Sequence, residues 1–247
     1  MSVRVVDVTL SSVTKRFGEK ESPVLENVNL EVGRGEFVVL VGASGCGKST
    51  LLNLISGLDV ATAGVVATSA RSTLMFQESA LMPWLSAGQN VELALRLRGF
   101  NKEDRIARAE ELLAKVNLSN AYGKRPHELS GGMRQRVAIA RALAQETPIL
   151  LMDEPFAALD AITRDLLHDE LIRLWQENGL TVVFVTHNVR EAVRLGQRVL
   201  LMSSRPGKFI KEWKIELIEP RRIDSPEVAV LAREITDELR MEIKRHA

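Results

Sequence analysis

Apolar residues recur at an imperfect period of two in the first stretch of the chain. One run covers residues 3–10; the other covers 24–32, where Val24, Glu26, Val28, Leu30 and Val32 share one set of positions. Both read as half-buried strands, and together they predict an antiparallel β layer. The unbroken apolar run Phe37-Val38-Val39-Leu40-Val41 reads instead as a strand buried on both faces. A helix is predicted over Lys48–Ser56, and Thr73-Leu74-Met75-Phe76-Gln77 is strand-like. The middle of the chain is helical, over 91–97 and 103–116. In the second of these segments Ile106, Leu112, Leu113 and Val116 lie near helical spacing, while Arg105, Arg108, Glu110 and Glu111 point elsewhere. From Ile149 onward strands and helices alternate: 149–152, 162–176, 181–186, 189–194 and 199–202, with Asn178-Gly179 as a helix stop.

Such alternation implies a parallel sheet covered on both faces, so the fold class is α/β. The tail places Val228, Leu231, Ile235, Leu239 and Ile243 on one face of a helix over about 226–244, and Arg233, Asp237, Glu238 and Arg240 elsewhere. It is expected to pack on its own domain, with contact to a partner chain as the alternative. No internal repeat or low-complexity tract interrupts the pattern.

Charge and composition remove some function classes. A net charge of +1, from 33 basic and 32 acidic residues, supplies no field to recruit nucleic acid. The single cysteine, Cys46, excludes an internal disulfide and suits a reducing compartment. Residues 1–4 begin no signal peptide, and the apolar runs fall far short of the roughly 20 residues a membrane-spanning helix needs. At 247 residues the chain can bury a sizeable core in one or two domains.

The chemistry starts at the end of the buried strand. Gly42-Ala43-Ser44-Gly45-Cys46-Gly47-Lys48-Ser49-Thr50 joins that strand to a helix, as a phosphate-binding loop does. Glycines let successive N–H groups face a phosphate, the helix N-terminus adds its dipole, Lys48 reaches the β/γ-phosphates and Ser49 offers a hydroxyl to Mg²⁺. Cys46 is read as a small filler inside this loop. By its position it is also expected to react with bulky thiol reagents, with inhibition that a bound nucleotide prevents.

Farther along, Leu129-Ser130-Gly131-Gly132-Met133-Arg134-Gln135-Arg136 opens a helical pattern, and Ser130 can cap it so that N–H groups aim outward at an anion. Ile149-Leu150-Leu151-Met152-Asp153-Glu154-Pro155 is a buried strand ending in two carboxylates. Ala158-Leu159-Asp160 and Thr186-His187 follow.

Taken in this order, these motifs resemble the nucleotide-binding subunits of ABC transporters over nearly the whole chain. The resemblance implies a P-loop ATPase with a mixed-sheet core, an antiparallel β layer and a helical subdomain at about 78–145, the whole chain forming one ABC ATPase domain. It implies ATP and Mg²⁺ as cofactors. Ser49, Gln77 and Asp153 are expected at the metal, Glu154 as the residue that orients or deprotonates the attacking water, His187 on the γ-phosphate and Phe17 on the adenine. Ser130, Gly131 and Gly132 are expected to cover the γ-phosphate bound by a second copy, which makes the working unit a head-to-tail dimer with Asp160 at its interface. His127, His168 and His246 lack such context and are assigned to surface roles.

The partners implied are membrane permease subunits and, indirectly, a solute-binding protein, with the ATPase peripheral on the cytoplasmic face of the membrane. The segment from Phe76 to Leu85 and Ser204-Arg205-Pro206-Gly207-Lys208 look like ATPases of nitrate, sulfonate and taurine importers. Trp84 is read as facing the permease, with a core position as the alternative. Two features depart from the family: residues 59–71 are short for the usual two-strand segment, and Asn188 replaces the more usual aspartate. Alternative readings are a lipid-handling or exporting ABC system and a soluble ABC ATPase that moves no solute. The latter usually carries two cassettes or a long coiled coil, and this chain has neither.

Overall fold

The structure, a computed structural model of the chain, describes residues 5–18, 21–217 and 221–246. The expected absence of a signal peptide at 1–4 and the side chain of His246 lie outside these residues. Among them the strands form two sheets. The smaller is antiparallel, in the order β2-β1-β4, from β1 (Val6–Lys15), β2 (Leu25–Gly33) and β4 (Ala63–Thr68). The larger has the order β5-β6-β7-β3-β8-β9, from β3 (Phe37–Gly42), β5 (Ser72–Met75), β6 (Ile149–Asp153), β7 (Thr181–Val185), β8 (Arg198–Met202) and β9 (Phe209–Lys214). Its strands run parallel except β9, which pairs antiparallel with β8.

Two cores meet on this sheet. Strand residues alternate faces, so Val38, Leu40, Ile149, Leu151, Val183, Val185, Leu200 and Met202 turn to one side. There they pack with the antiparallel layer and with α1 (Lys48–Ser56). Phe37, Val39, Val41, Leu150, Met152, Val182, Phe184, Val199 and Leu201 turn to the other side. Helices cover that side: α2 (Ala87–Leu97), α3 (Lys102–Lys115), α4 (Gly131–Leu143), α5 (Ala161–Asn178), α6 (Val189–Leu195) and α7 (Pro226–His246). Double-sided burial is why β3 and β7 read as continuous apolar runs.

The helical caps follow local chemistry. Ser86 and Gln89 close a capping box on α2, and Asn101, Ser130 and Asp160 accept N–H groups at the starts of α3, α4 and α5. In the antiparallel layer Ser12 takes a left-handed φ of 50° at a register break in β1. Gly64 lies against that break, where a Cβ would fall 2.4 Å from the Ser12 carbonyl oxygen, so glycine is required there.

The predicted helices and strands lie where the periodicity put them, but β4, within the 59–71 segment, and β9 were not among the predicted strands. The edge strand β9 went unpredicted, because its exposed Ile210, Glu212 and Lys214 hide the alternation that buries Trp213. The tail helix packs on its own domain, burying Val228, Ala232 and Ile235, while Ile243 stays 43 % exposed. His168 does not take the surface role assigned to it: it is fully buried in α5, against Glu191 and Arg194 of α6. Among the described residues no helix is long and apolar enough to cross a membrane.

Asp7 ties the two sheets together. Its carboxylate accepts from Ser69 and from Thr181 at the start of β7, both at 2.6 Å, and from Arg34 at 3.3 Å. Burial alone raises its pKa, but the bonds from Ser69, Thr181 and Arg34 outweigh burial and hold it below the usual carboxylate range. A carboxylate depressed in the folded state adds stability that is fully present above its unfolded pKa of about 3.9 and is lost as pH falls through the folded value. Asp7→Ala should therefore lower unfolding free energy by about 2–3 kcal/mol at pH 7, where it leaves the buried Thr181 hydroxyl without its acceptor. Urea melts of the two proteins should converge as pH drops below 4 toward 2; a gap unchanged by pH would contradict this role.

Candidate functional site

The first requirement of a phosphate site is backbone that can approach closely. At the end of β3, a Cβ on Gly42 would sit 2.9 Å from Cys46 Sγ and 3.0 Å from the Met202 carbonyl oxygen. Gly47 (φ 103°) would press a Cβ to within 2.6 Å of Leu25 Cδ2. Gly47 is also the N-cap of α1 and offers no side-chain cap, so the first-turn amides stay available to an anion. Lys48 is buried, and its ammonium donates to the carbonyls of Gly42 and Ala43, each at 2.9 Å. A cation in so little solvent has to be paired, and the loop carbonyls hold it where the phosphates of a nucleotide would complete its shell.

Parallel pairing brings the second group of residues to the same sheet edge. Leu40 lies beside Val185 of β7, and Val185 beside Asp153 of β6, so the phosphate loop, Asp153 and Thr186-His187 leave the sheet together. Burial raises the Asp153 pKa; a hydrogen bond from Ser49 opposes this, the charge of Glu154 adds to it and Lys48 opposes it. Glu154 has a left-handed φ of 46°, a cost of about 1–2 kcal/mol for a residue with a Cβ. The turn is held by its N–H donating to the Val185 carbonyl at 3.0 Å. Its carboxylate lies 2.8 Å from His187 Nδ1, and since a carboxylate only accepts, His187 is the donor.

Lys48, Ser49 and Glu154 border a cavity of about 890 Å³ whose other lining residues include Phe17, Arg205 and Pro206; Asp153 and His187 do not line it and join it through Ser49 and Glu154. Phe17 is 63 % exposed, with the Lys15 ammonium 5.1 Å from its ring centre, so it is not part of the β-layer core. Arg205 and Pro206 are new to the site. Their segment stands out in the sequence only by its likeness to importer ATPases, and nothing local in it signals a cavity wall. The loop that carries them is fastened by Gly207, which pairs with Leu25, and Arg205 Nε donates to the Gly45 carbonyl at 3.4 Å.

Other predicted residues lie apart from this cavity. Gln77 is exposed, two residues past the end of β5. Because Met75 pairs with Met152, it leaves the sheet at the same edge as Asp153. Ser130, Gly131 and Gly132 start α4 and do not line the cavity. Ser130 Oγ accepts from Met133 N at 3.2 Å, and a Cβ on Gly132 would meet Thr163 at 2.4 Å. Asp160 caps α5, and hydrogen bonds from the Thr163 backbone and hydroxyl lower its pKa. Trp84 is 67 % exposed, which rules out the core alternative.

The ABC transporter family model matches residues 25–157. The nitrate import ATP-binding protein NrtD of Synechocystis sp. is 47 % identical over 81 % of this chain and 79 % of its own length. The aliphatic sulfonates import ATP-binding protein SsuB of Bacillus subtilis is 41 % identical over 94 % of this chain and 93 % of its own. Among solved structures, the dimeric post-hydrolysis state of the ATP-binding cassette MJ0796 bound to ADP and Pi is 38 % identical. It covers 85 % of this chain and all of its own, with a TM-score of 0.76.

Cys46 corrects one expectation. Its thiol is 1 % exposed and packs in the core beside Gly42 rather than on the cavity. A bulky thiol reagent should therefore label the native protein at least about 100-fold more slowly than the urea-unfolded chain, at a rate set by opening of the fold. Fast native labelling that ATP blocks would restore the exposed-thiol reading.

Proposed function

The chain belongs to the ABC transporter family and is its ATP-binding, ATP-hydrolysing kind of subunit, and we propose how its residues divide that work and what it drives. The observation that carries the proposal is the convergence of Lys48, Ser49 and Glu154 on one cavity, with Asp153 bonded to Ser49 and His187 to Glu154. In this reading the amides of 42–50 and Lys48 hold the phosphates of ATP, and Phe17 stacks on the adenine. Ser49, Asp153 and Gln77 are hard oxygen donors, a set that suits Mg²⁺ sharing its shell with phosphate and water. The ion, when bound, supplies charge neutralisation of the phosphates. Glu154 orients the attacking water and accepts its proton, and the bond to His187 fixes that carboxylate.

The distance of Ser130, Gly131 and Gly132 from this cavity supports a head-to-tail dimer. In it, the capped start of α4 in one copy covers the nucleotide of the other, with Asp160 between them. The helical segment at about 78–145 serves as the subdomain that meets a separate membrane permease, which keeps the protein peripheral on the cytoplasmic face of the membrane. Leu85, Gln89, Leu93 and Tyr122 line a second cavity of about 390 Å³ there, next to exposed Trp84. The solute is a small anion of the nitrate or sulfonate type, delivered by a solute-binding protein. Support for that class comes from the import proteins to which the chain is similar.

Glu154→Gln keeps the shape and the bond to His187 but removes the base. Turnover should fall by about 10²–10⁴, while ATP affinity stays within about threefold. The variant should elute as an ATP-trapped dimer on size exclusion; turnover near the parent value would refute the role of Glu154.

Trp84→Ala tests the permease contact. Because the ring is exposed, the melting temperature of the isolated subunit should move by no more than about 2 °C. Recovery of the permease in pull-downs should drop about 10-fold or more, as loss of an aromatic anchor implies. A pull-down equal to the parent's removes Trp84 from the interface.

A further inference from the structure

The fully buried imidazole of His168 sits at the centre of a polar cluster that the nucleotide site itself does not contain. Its Nδ1 is 3.3 Å from Arg194 Nη1 and its Nε2 is 2.6 Å from Glu191 Oε1. A guanidinium only donates, so Nδ1 accepts and Nε2 carries the hydrogen toward Glu191. Arg194 is itself fixed by Asp165 at 2.8 Å and Asp169 at 2.7 Å. The tautomer of His168 is thus set by its surroundings.

From Glu191 the chain of bonds runs to the switch position. The second carboxylate oxygen of Glu191 accepts from the Thr186 hydroxyl, and Thr186 Oγ1 accepts from Asn188 N at 2.9 Å. Asn188 Oδ1 in turn accepts from Arg190 N and Glu191 N, closing the start of α6. The residues on both sides of His187 are therefore pinned to Glu191, while the His187 ring bonds to Glu154. His168 also packs edge-on against Phe156, two residues past Glu154, with ring centres 5.4 Å apart. Without the imidazole, the buried Glu191 carboxylate keeps the Thr186 hydroxyl as its side-chain donor, so a shift of that carboxylate carries Thr186 with it.

We propose that His168 is a positioning residue for ATP hydrolysis. Its hydrogen bond fixes Glu191 and, through the Thr186 hydroxyl, sets the orientation of His187 toward Glu154. The inference rests on the placement of Glu154 and His187 at the hydrolytic site. It adds a residue on α5, the helix that Asp160 caps, to the machinery of that site.

The test uses the full-length ATPase and measures kcat, KM for Mg-ATP and melting temperature for H168L, H168Q, H187A, T186V and the H168L/H187A double variant. Glutamine can both donate to Glu191 and accept from Arg194; leucine can do neither. H168L should lower kcat about 10-fold or more with KM within twofold, and H168Q should restore kcat to within about threefold of the parent. In the H187A background H168L should cost nothing further, because its effect passes through His187. T186V breaks the same chain at nearly constant volume and should reproduce the kcat loss even if H168L folds poorly. Equal kcat for H168L and H168Q, full activity of T186V, or losses that multiply in the double variant would each overturn the proposal. H187A as active as the parent would instead strike at the assignment of His187 itself, and the inference would fall with it.

Discussion

Parallel pairing of β3 with β7, and of β7 with β6, is the constraint on which the rest of the molecule depends. A parallel ladder fixes which residues leave the sheet side by side, and here it aligns the glycine loop after Gly42, the carboxylates after Met152 and the Thr186-His187 pair. None of these groups is near another in sequence; Gly42 and His187 are brought together only by the ladder. Helices on both faces and the antiparallel layer hold the ladder in place by burying every residue of β3 and β7. The edge position then follows from backbone chemistry, since ligand sites of open α/β sheets lie at the carboxyl ends of the strands.

Charge placed so close to an apolar sheet has to be satisfied group by group. Lys48 lies on two loop carbonyls, Asp153 on Ser49, Glu154 on His187, and Glu191 on His168 and Thr186. Each of these buried or half-buried ions is bonded to a group from another element, so the charges also join elements. Asp7 does the same between the two sheets. The cost of burying these groups is offset only while the partners stay in place, which makes the edge of the sheet rigid as well as polar.

How much of this was legible in the sequence varies with the range of the interaction. The phosphate loop, the capped start of α4 and the Asp153-Glu154 pair could be read directly because each needs particular residue types at fixed local offsets. The buried strands β3 and β7 were legible as continuous apolar runs, α1 from the phosphate loop before it and α5 from the Asn178-Gly179 stop after it. His168 was not, since its burial depends on Glu191 and Arg194, more than twenty residues away. Cys46 was placed correctly in the loop but not in the core, because contact with Gly42 and the apolar side of the sheet is a tertiary matter. Arg205 reaches the cavity only because Gly207 pairs with Leu25, and β9 exists only as a partner for β8. Such pairings have no local signature.

The two cores share one set of strands, and this governs which insertions and deletions the gene can tolerate. In a loop on the surface, an extra residue changes only a surface path. Within β3, one extra residue inverts the alternation, sending Val38 and Leu40 to the helical side and Phe37, Val39 and Val41 to the other. Both cores would receive the wrong volumes at once, and Gly42 would slip past the place where Met202 and Cys46 leave no room for a Cβ. Length in β3 is therefore inherited as strictly as residue identity, and lineages of this chain should vary in loops long before they vary there.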